Sequence, residues 1–234
     1  MTTVPDADKV PLTVKDICVV IPVLNESSRI VAAIRSASDA GQVIVVDGGS
    51  KDQTIEIVTT FDHVRLIHSQ PGRGRQLATG ADACERAILV FLHGDCELSE
   101  GACSKIANAI NQGRIWGGMQ QRISADGFRF RLLEVGNAAR LKWLGMAFGD
   151  QAIFVLASIY RDVGGFEKIP LMEDVRLSKR LRKIAWPILL DACLAVDARR
   201  WRRRGVVRQT CINWKIQLLH QFGVRPETLV EKYR

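Results

Sequence analysis

Short, strongly apolar runs, each cut off by a polar cluster, recur through the first hundred residues. They occupy residues 17–24 (ICVVIPVL), 43–46 (VIVV), 64–67 (VRLI) and 87–92 (AILVFL). Runs this short and this rich in β-branched residues are strand-sized rather than helix-sized. They are nearly continuous rather than alternating, which means burial on both faces. The stretches between them have helical spacing, as at Ile30, Val31, Ile34 and Ala37. Strands joined by helical crossovers build a parallel sheet with helices on both sides. Ligands of such sheets bind at the carboxyl ends of the strands. The polar clusters fall there: Asn25-Glu26, Asp47-Gly48-Gly49-Ser50 and His93-Gly94-Asp95.

The remaining elements follow from the same signals. Asp52 is placed to cap a helix carrying Ile55, Ile57 and Val58, and residues 72–74 form a turn that opens a helix running to about Arg86. The second half is less regular. It suggests strands at 118–124 and 152–156, an apolar run at 188–196, and helices at 128–144, 173–183 and 213–222. In the 128–144 helix, Leu132, Leu133, Val135, Leu141 and Leu144 lie on or near one face, so that face is expected to be buried. The chain is thus one α/β domain over 15–234 behind a flexible polar segment, 1–14. Within the domain, 15–98 and 99–197 are its two halves, and 198–234 is a basic helical extension.

Composition narrows the function. No apolar run reaches the roughly 18–20 residues a spanning helix needs, and the first residues lack the apolar core of a secretory signal. The six cysteines are scattered without a CxxC pair, which fits reduced thiols of a cytoplasmic protein and not a zinc site. The net charge of +8 owes much to Arg199, Arg200, Arg202, Arg203, Arg204 and Arg208. Such a run suits phosphorylated ligands, an anionic membrane or nucleic acid. No nucleic-acid module is present, and Trp201 is the one aromatic inside the run, so nucleic acid is set aside. The run is a solvated face, a set of arginines pairing with acidic residues of the same domain, or a peripheral contact with the inner face of a membrane.

Four constellations carry chemistry, each with a plainer reading beside it. Asp47 at a strand end can hydrogen-bond a base or a ribose, with Gly49 allowing close approach, or it simply closes a turn. Gly72-Arg73-Gly74-Arg75-Gln76 offers free N–H groups and guanidiniums to a diphosphate, or is a solvated basic turn. Asp95, with His93, can hold a divalent cation such as Mg²⁺ or Mn²⁺, or is a strand-end turn. Glu173-Asp174 can supply a general base, or stabilises a helix start through the helix dipole.

Taken in order, these pieces resemble family 2 glycosyltransferases of the GT-A fold, and within them a compact soluble subgroup. The resemblance rests on VVIPVLNE (19–26), VVDGGSKDQT (45–54), FLHGDCEL (91–98), FGDQAIFV (148–155) and GGFEKIPLMEDVRLSKRLRK (164–183). It implies a Rossmann-like, mostly parallel mixed sheet flanked by helices, with a C-terminal helical extension. It implies a nucleoside-diphosphate sugar as donor and an inverting transfer to an acceptor hydroxyl. Pro22, Asn25, Glu26 and Asp47 would line the nucleotide pocket; Gly149, Asp150 and Gln151 would sit near the sugar or acceptor. Asp95 would hold the metal, and Asp174, paired with Glu173, would be the base. The first acidic position of the metal motif is His93 here, and Leu77-Ala78 stand where many members carry Arg-Asn; Arg73 and Arg75 are then expected to supply the positive charge. A sugar nucleotidyltransferase is the alternative enzyme, but it needs a glycine- and lysine-rich loop where this chain has Pro22-Val23-Leu24-Asn25-Glu26. A non-catalytic nucleotide-sugar binder would not need Glu173-Asp174.

Overall fold

A computed structural model describes residues 10–199, 201, 205–226 and 228–229. Eight strands form one sheet: β1 (Ile17–Val23), β2 (Gln42–Asp47), β3 (Val64–His68), β4 (Ile88–Phe91), β5 (Cys96–Leu98), β6 (Trp116–Ile123), β7 (Phe154–Leu156) and β8 (Ile188–Val196). Their spatial order is β3-β2-β1-β4-β7-β6-β8-β5. The first four pair in parallel, as their apolar runs require. β7 is antiparallel to both β4 and β6, β6 runs parallel to β8, and β5 is antiparallel to β8. The sheet is therefore mixed and mostly parallel, in keeping with a GT-A-like fold.

Eight α-helices cover it: α1 (Ile30–Ser36), α2 (Thr54–Val58), α3 (Arg73–Asp82), α4 (Ala102–Asn111), α5 (Phe128–Leu144), α6 (Ala157–Asp162), α7 (Glu173–Leu181) and α8 (Val206–Gln221) among the described residues. Alternate residues of β1 serve two cores. Val19 and Ile21 pack with Ile34 and Ile106 on one face, while Cys18 and Val20 pack with Leu77 and Leu177 on the other. α3 approaches β1 and β2 closely, because a Cβ on Gly80 would lie 2.3 Å from a Val20 methyl.

Several expectations change. The 213–222 helix begins seven residues earlier, at Val206, and α4 and β5 had no clear signal. The expected apolar face of α5 is not buried: Leu141 is buried, but Leu132, Val135 and Leu144 are 58–62% exposed. Glu134 is buried instead, accepting from the Ile123 amide at 2.6 Å and pairing with Arg131 at 2.9 Å. Leu12, inside the segment expected to be flexible, exchanges two hydrogen bonds with Asn111. Residues 1–9 lie outside the described part.

Candidate active site

The carboxyl ends of β1 and β2 are tied by backbone and short side chains. Asn25 adopts a left-handed conformation (φ 58°). Its amide donates to Ser50 Oγ at 2.9 Å, and its Oδ1 accepts from the Lys51 amide at 2.8 Å. Asp47 is buried and accepts from the amides of Gly49 and Ser50 at 2.8 and 3.1 Å. Burial pushes its carboxyl upward, but the bonds from Ser50 and Gly49 outweigh that and hold it below the usual range. Pro22, Asn25, Glu26, Asp47 and Gly49 are thus brought to one sheet edge, with Asp47 bracing the Gly49-Ser50 turn. Gln76 completes this edge: its amide nitrogen donates to the carbonyls of Val23 and Val46, both at 2.8 Å. Sequence reasoning named Gln76 only as part of a basic turn; its reach back to two strand ends has no local signal.

The basic turn is used differently from the expectation. Arg73 crosses to α7, where its guanidinium bonds Glu173 and lies 3.6 Å from an oxygen of Asp174. Gly74 is a packing glycine, since a Cβ there would meet the Glu167 carbonyl at 2.5 Å. Arg75 is exposed and bonds Gln70. In this arrangement Arg73 is shared with two carboxylates and Arg75 with a side-chain amide.

Glu173 and Asp174 open α7 and are both buried. Asp174 accepts from the Gly149 amide at 2.8 Å and from the Val175 amide at 2.7 Å. Burial holds the Glu173 carboxyl above its usual range, against the opposing pull of Arg73. Asp174 lines a cleft together with Arg73, His93, Gly149 and Asp150. Asn213, Ile216 and Gln217 of α8 line it as well. His93 is half-buried, its Nε2 enclosed and unpartnered 2.4 Å from where a Cβ on Gly149 would sit. Burial first, then Arg73, lowers its pKa to about 4, so the ring is neutral at neutral pH.

Gln151 departs from its expected place. It is fully buried and turned away from the cleft. Its Oε1 accepts from Arg140 at 3.1 Å and from the Phe148 amide at 3.2 Å, and its Nε2 donates to the Asn137 carbonyl at 3.3 Å. The Arg140 guanidinium sits 3.5 Å over the Phe148 ring. Gln151 and Arg140 therefore clasp the cleft loop onto α5, while Gly149 and Asp150 face the cleft.

The donor set for a cation is divided. Asp95 lies 3.5 Å from Arg199, which also donates to both Glu26 oxygens at 2.7 and 2.6 Å. His93 points to the Gly149 loop instead. No group of three or more His, Cys, Asp or Glu side chains is arranged to hold a metal ion among the described residues. The expected pairing of Asp95 with His93 on one cation does not fit this arrangement. Trp201, expected in a surface-facing basic run, is buried edge-to-face against Phe130, with ring centroids 6.5 Å apart. Arg200 and Arg202 to Arg204 lie outside the described residues.

The profile of the family described as Glycosyl transferase family 2 matches residues 18–182. The chain belongs to that family. Glycosyltransferase AglE of Haloferax volcanii is 33% identical over 96 residues, covering 36% of this chain and 32% of AglE. Glycosyltransferase AglJ of the same organism is 24% identical over 151 residues, covering 63% of this chain and 47% of AglJ. The family 2 chain thus spans less than half the length of these curated relatives. Among solved structures, S. aureus TarS 1–349 superposes with a TM-score of 0.57 at 15% identity, covering 77% of this chain and 57% of that one. The same fragment in complex with UDP-GlcNAc gives 0.56 at 16% identity, covering 77% and 55%. These likenesses show that the family 2 chain shares the TarS fold. No described helix is long and apolar enough to cross a membrane.

Proposed function

We propose that this chain transfers a sugar from a nucleoside-diphosphate sugar to an acceptor hydroxyl, with inversion at the anomeric carbon and Asp174 as general base. The observation that carries the reading is the placement of Asp174. Its carboxylate lies on the wall of a cleft beyond the carboxyl end of β4, fixed by the Gly149 amide at 2.8 Å. The binding of UDP-GlcNAc by TarS, which shares the fold, supports a nucleotide-sugar donor.

In this reading the nucleoside rests on the edge formed by Pro22, Asn25, Glu26 and Asp47. The acceptor hydroxyl gives its proton to the Asp174 carboxylate. Its oxygen forms a bond to the anomeric carbon as the carbon–oxygen bond to the diphosphate breaks, and that electron pair leaves with the nucleoside diphosphate. Arg73, beside Asp174 and Glu173, keeps positive charge close to where negative charge develops. Asp95 faces Arg199 and His93 faces the Gly149 loop, so the two do not converge on one cation.

Asp174→Asn tests this. Turnover is expected to fall by about 10²–10⁴-fold, the usual contribution of a general base. Affinity for the nucleoside diphosphate, read by thermal shift with and without Mg²⁺ or Mn²⁺, stays near the parent value. Near-parent turnover would remove Asp174 from the role; no stabilisation by any nucleotide would remove the donor reading.

A further inference from the structure

α5 shows solvent a face of a kind that soluble helices rarely show. Phe128, Leu132, Val135 and Trp143 are 60–79% exposed. Their spacing places them on one stripe. α8 does the same with Trp214 and Leu218, continued by Phe222 just past its end, at 58–80% exposure. A third group joins the first: Trp186 donates its Nε1 to the Lys142 carbonyl at 2.9 Å, and Arg182 bonds the Leu144 carbonyl. That sets Ile184 and Trp186, both more than half exposed, beside the end of α5.

The charges on these elements have one sign. The single acid of α5, Glu134, is buried and paired with Arg131. α8 contains no acid at all. Arg129, Lys142, Lys183, Arg208 and Lys215 are exposed around the apolar stripes. A two-fold contact between copies would set these cations against one another. Aromatic and aliphatic residues on one face, flanked by exposed cations that outnumber the one exposed acid beside α5, Asp126, match a helix lying in an anionic lipid interface.

We propose that α5, α8 and residues 184–186 seat the protein on an anionic membrane surface. α8 borders the cleft, and α5 precedes the loop that does. α8 lines it with Asn213, Ile216 and Gln217 while turning Trp214 and Leu218 outward, and α5 leads into the loop carrying Gly149 and Asp150. Docking there would bring the cleft to the bilayer. The proposal stands apart from the role of Asp174, which it does not use.

Sedimentation of the full chain with phosphatidylglycerol vesicles at low salt tests it, with phosphatidylcholine vesicles as the comparison. The parent is expected to pellet with the anionic vesicles and to be released as salt rises. The double variant Trp143→Glu/Trp214→Glu is expected to lose at least about tenfold in partitioning, since each buried aromatic contributes on that order. The triple variant Lys142→Glu/Lys183→Glu/Lys215→Glu changes only exposed cations, so it reports on binding even if the aromatic variant folds poorly. No pelleting of the parent, equal pelleting on phosphatidylcholine, or parent-like binding by the triple variant overturns the proposal. A dimer of the parent that dissociates in the aromatic variant, without vesicle binding, assigns the face to a second copy and overturns it as well.

Discussion

The two halves of this sheet hold their functional residues by different means. At the β1–β2 edge, Asp47 braces amides two and three residues away, and Asn25 bonds the loop that faces it. At the cleft, Asp174 depends on contacts made by distant parts of the chain. Arg73 reaches Glu173 across 100 residues, and the Gly149 amide reaches Asp174 across 25. The first region adds turn contacts of two and three residues to longer reaches such as Asn25–Lys51 and Gln76–Val23, whereas the second rests mainly on reaches across the chain. Local construction tolerates change elsewhere; converging construction fails when any one partner is lost.

The largest expected effect breaks the converging region. Arg73→Met leaves Glu173 buried without its cation and is expected to cost about 3–5 kcal/mol at neutral pH. Burial already holds Glu173 above its usual range, against Arg73. A raised carboxyl contributes stability at low pH that is lost as pH rises through its folded value. The penalty should therefore shrink toward acid, where Glu173 takes up a proton. Denaturant melts of both proteins across pH check this; a pH-independent penalty would contradict it.

A smaller effect is expected at the local edge. Asp47→Asn weakens charge-assisted bonds to two amides and is expected to cost about 1.5–3 kcal/mol. Because Asp47 is held below its usual range, its contribution is present above the ordinary carboxylate value and lost as pH falls through the folded one. The difference between parent and variant should close in acid, which urea melts would show. Gln151→Leu sharpens the contrast from the other side. It removes the clasp on the cleft loop, at roughly 1–3 kcal/mol, and should lower turnover while leaving nucleotide affinity alone. A loss of nucleotide affinity instead would join the two regions into one unit. The smallest effect belongs to the exposed stripe: Leu132→Ser should change stability by no more than about 0.5 kcal/mol, read by thermal melting.

The same contrast explains what the sequence made legible. The parallel strands, their polar ends and the start of α7 could be read because each signal lies within a few residues. Gln76, Arg140 and Gln151 could not, because their partners are chosen by packing rather than by spacing. α8 was read too short because it opens on Gly205 and two valines without a side-chain cap. α5 was read as amphipathic in the ordinary sense because apolar spacing cannot say whether a stripe meets a core or something outside the molecule.

The sheet order has a consequence for how the molecule is made. Among the described residues β5 pairs with β8 alone, and β6 gains its parallel partner there too. Strand β5 and the neighbouring Asp95 thus wait, during synthesis, for a strand that follows both β6 and β7 in the chain. A nascent chain ending before Ile188 has its first four strands complete but leaves the far edge of the sheet unpaired. Non-local pairing of this kind is slow and prone to aggregation. The second half is where assembly of this protein is expected to stall.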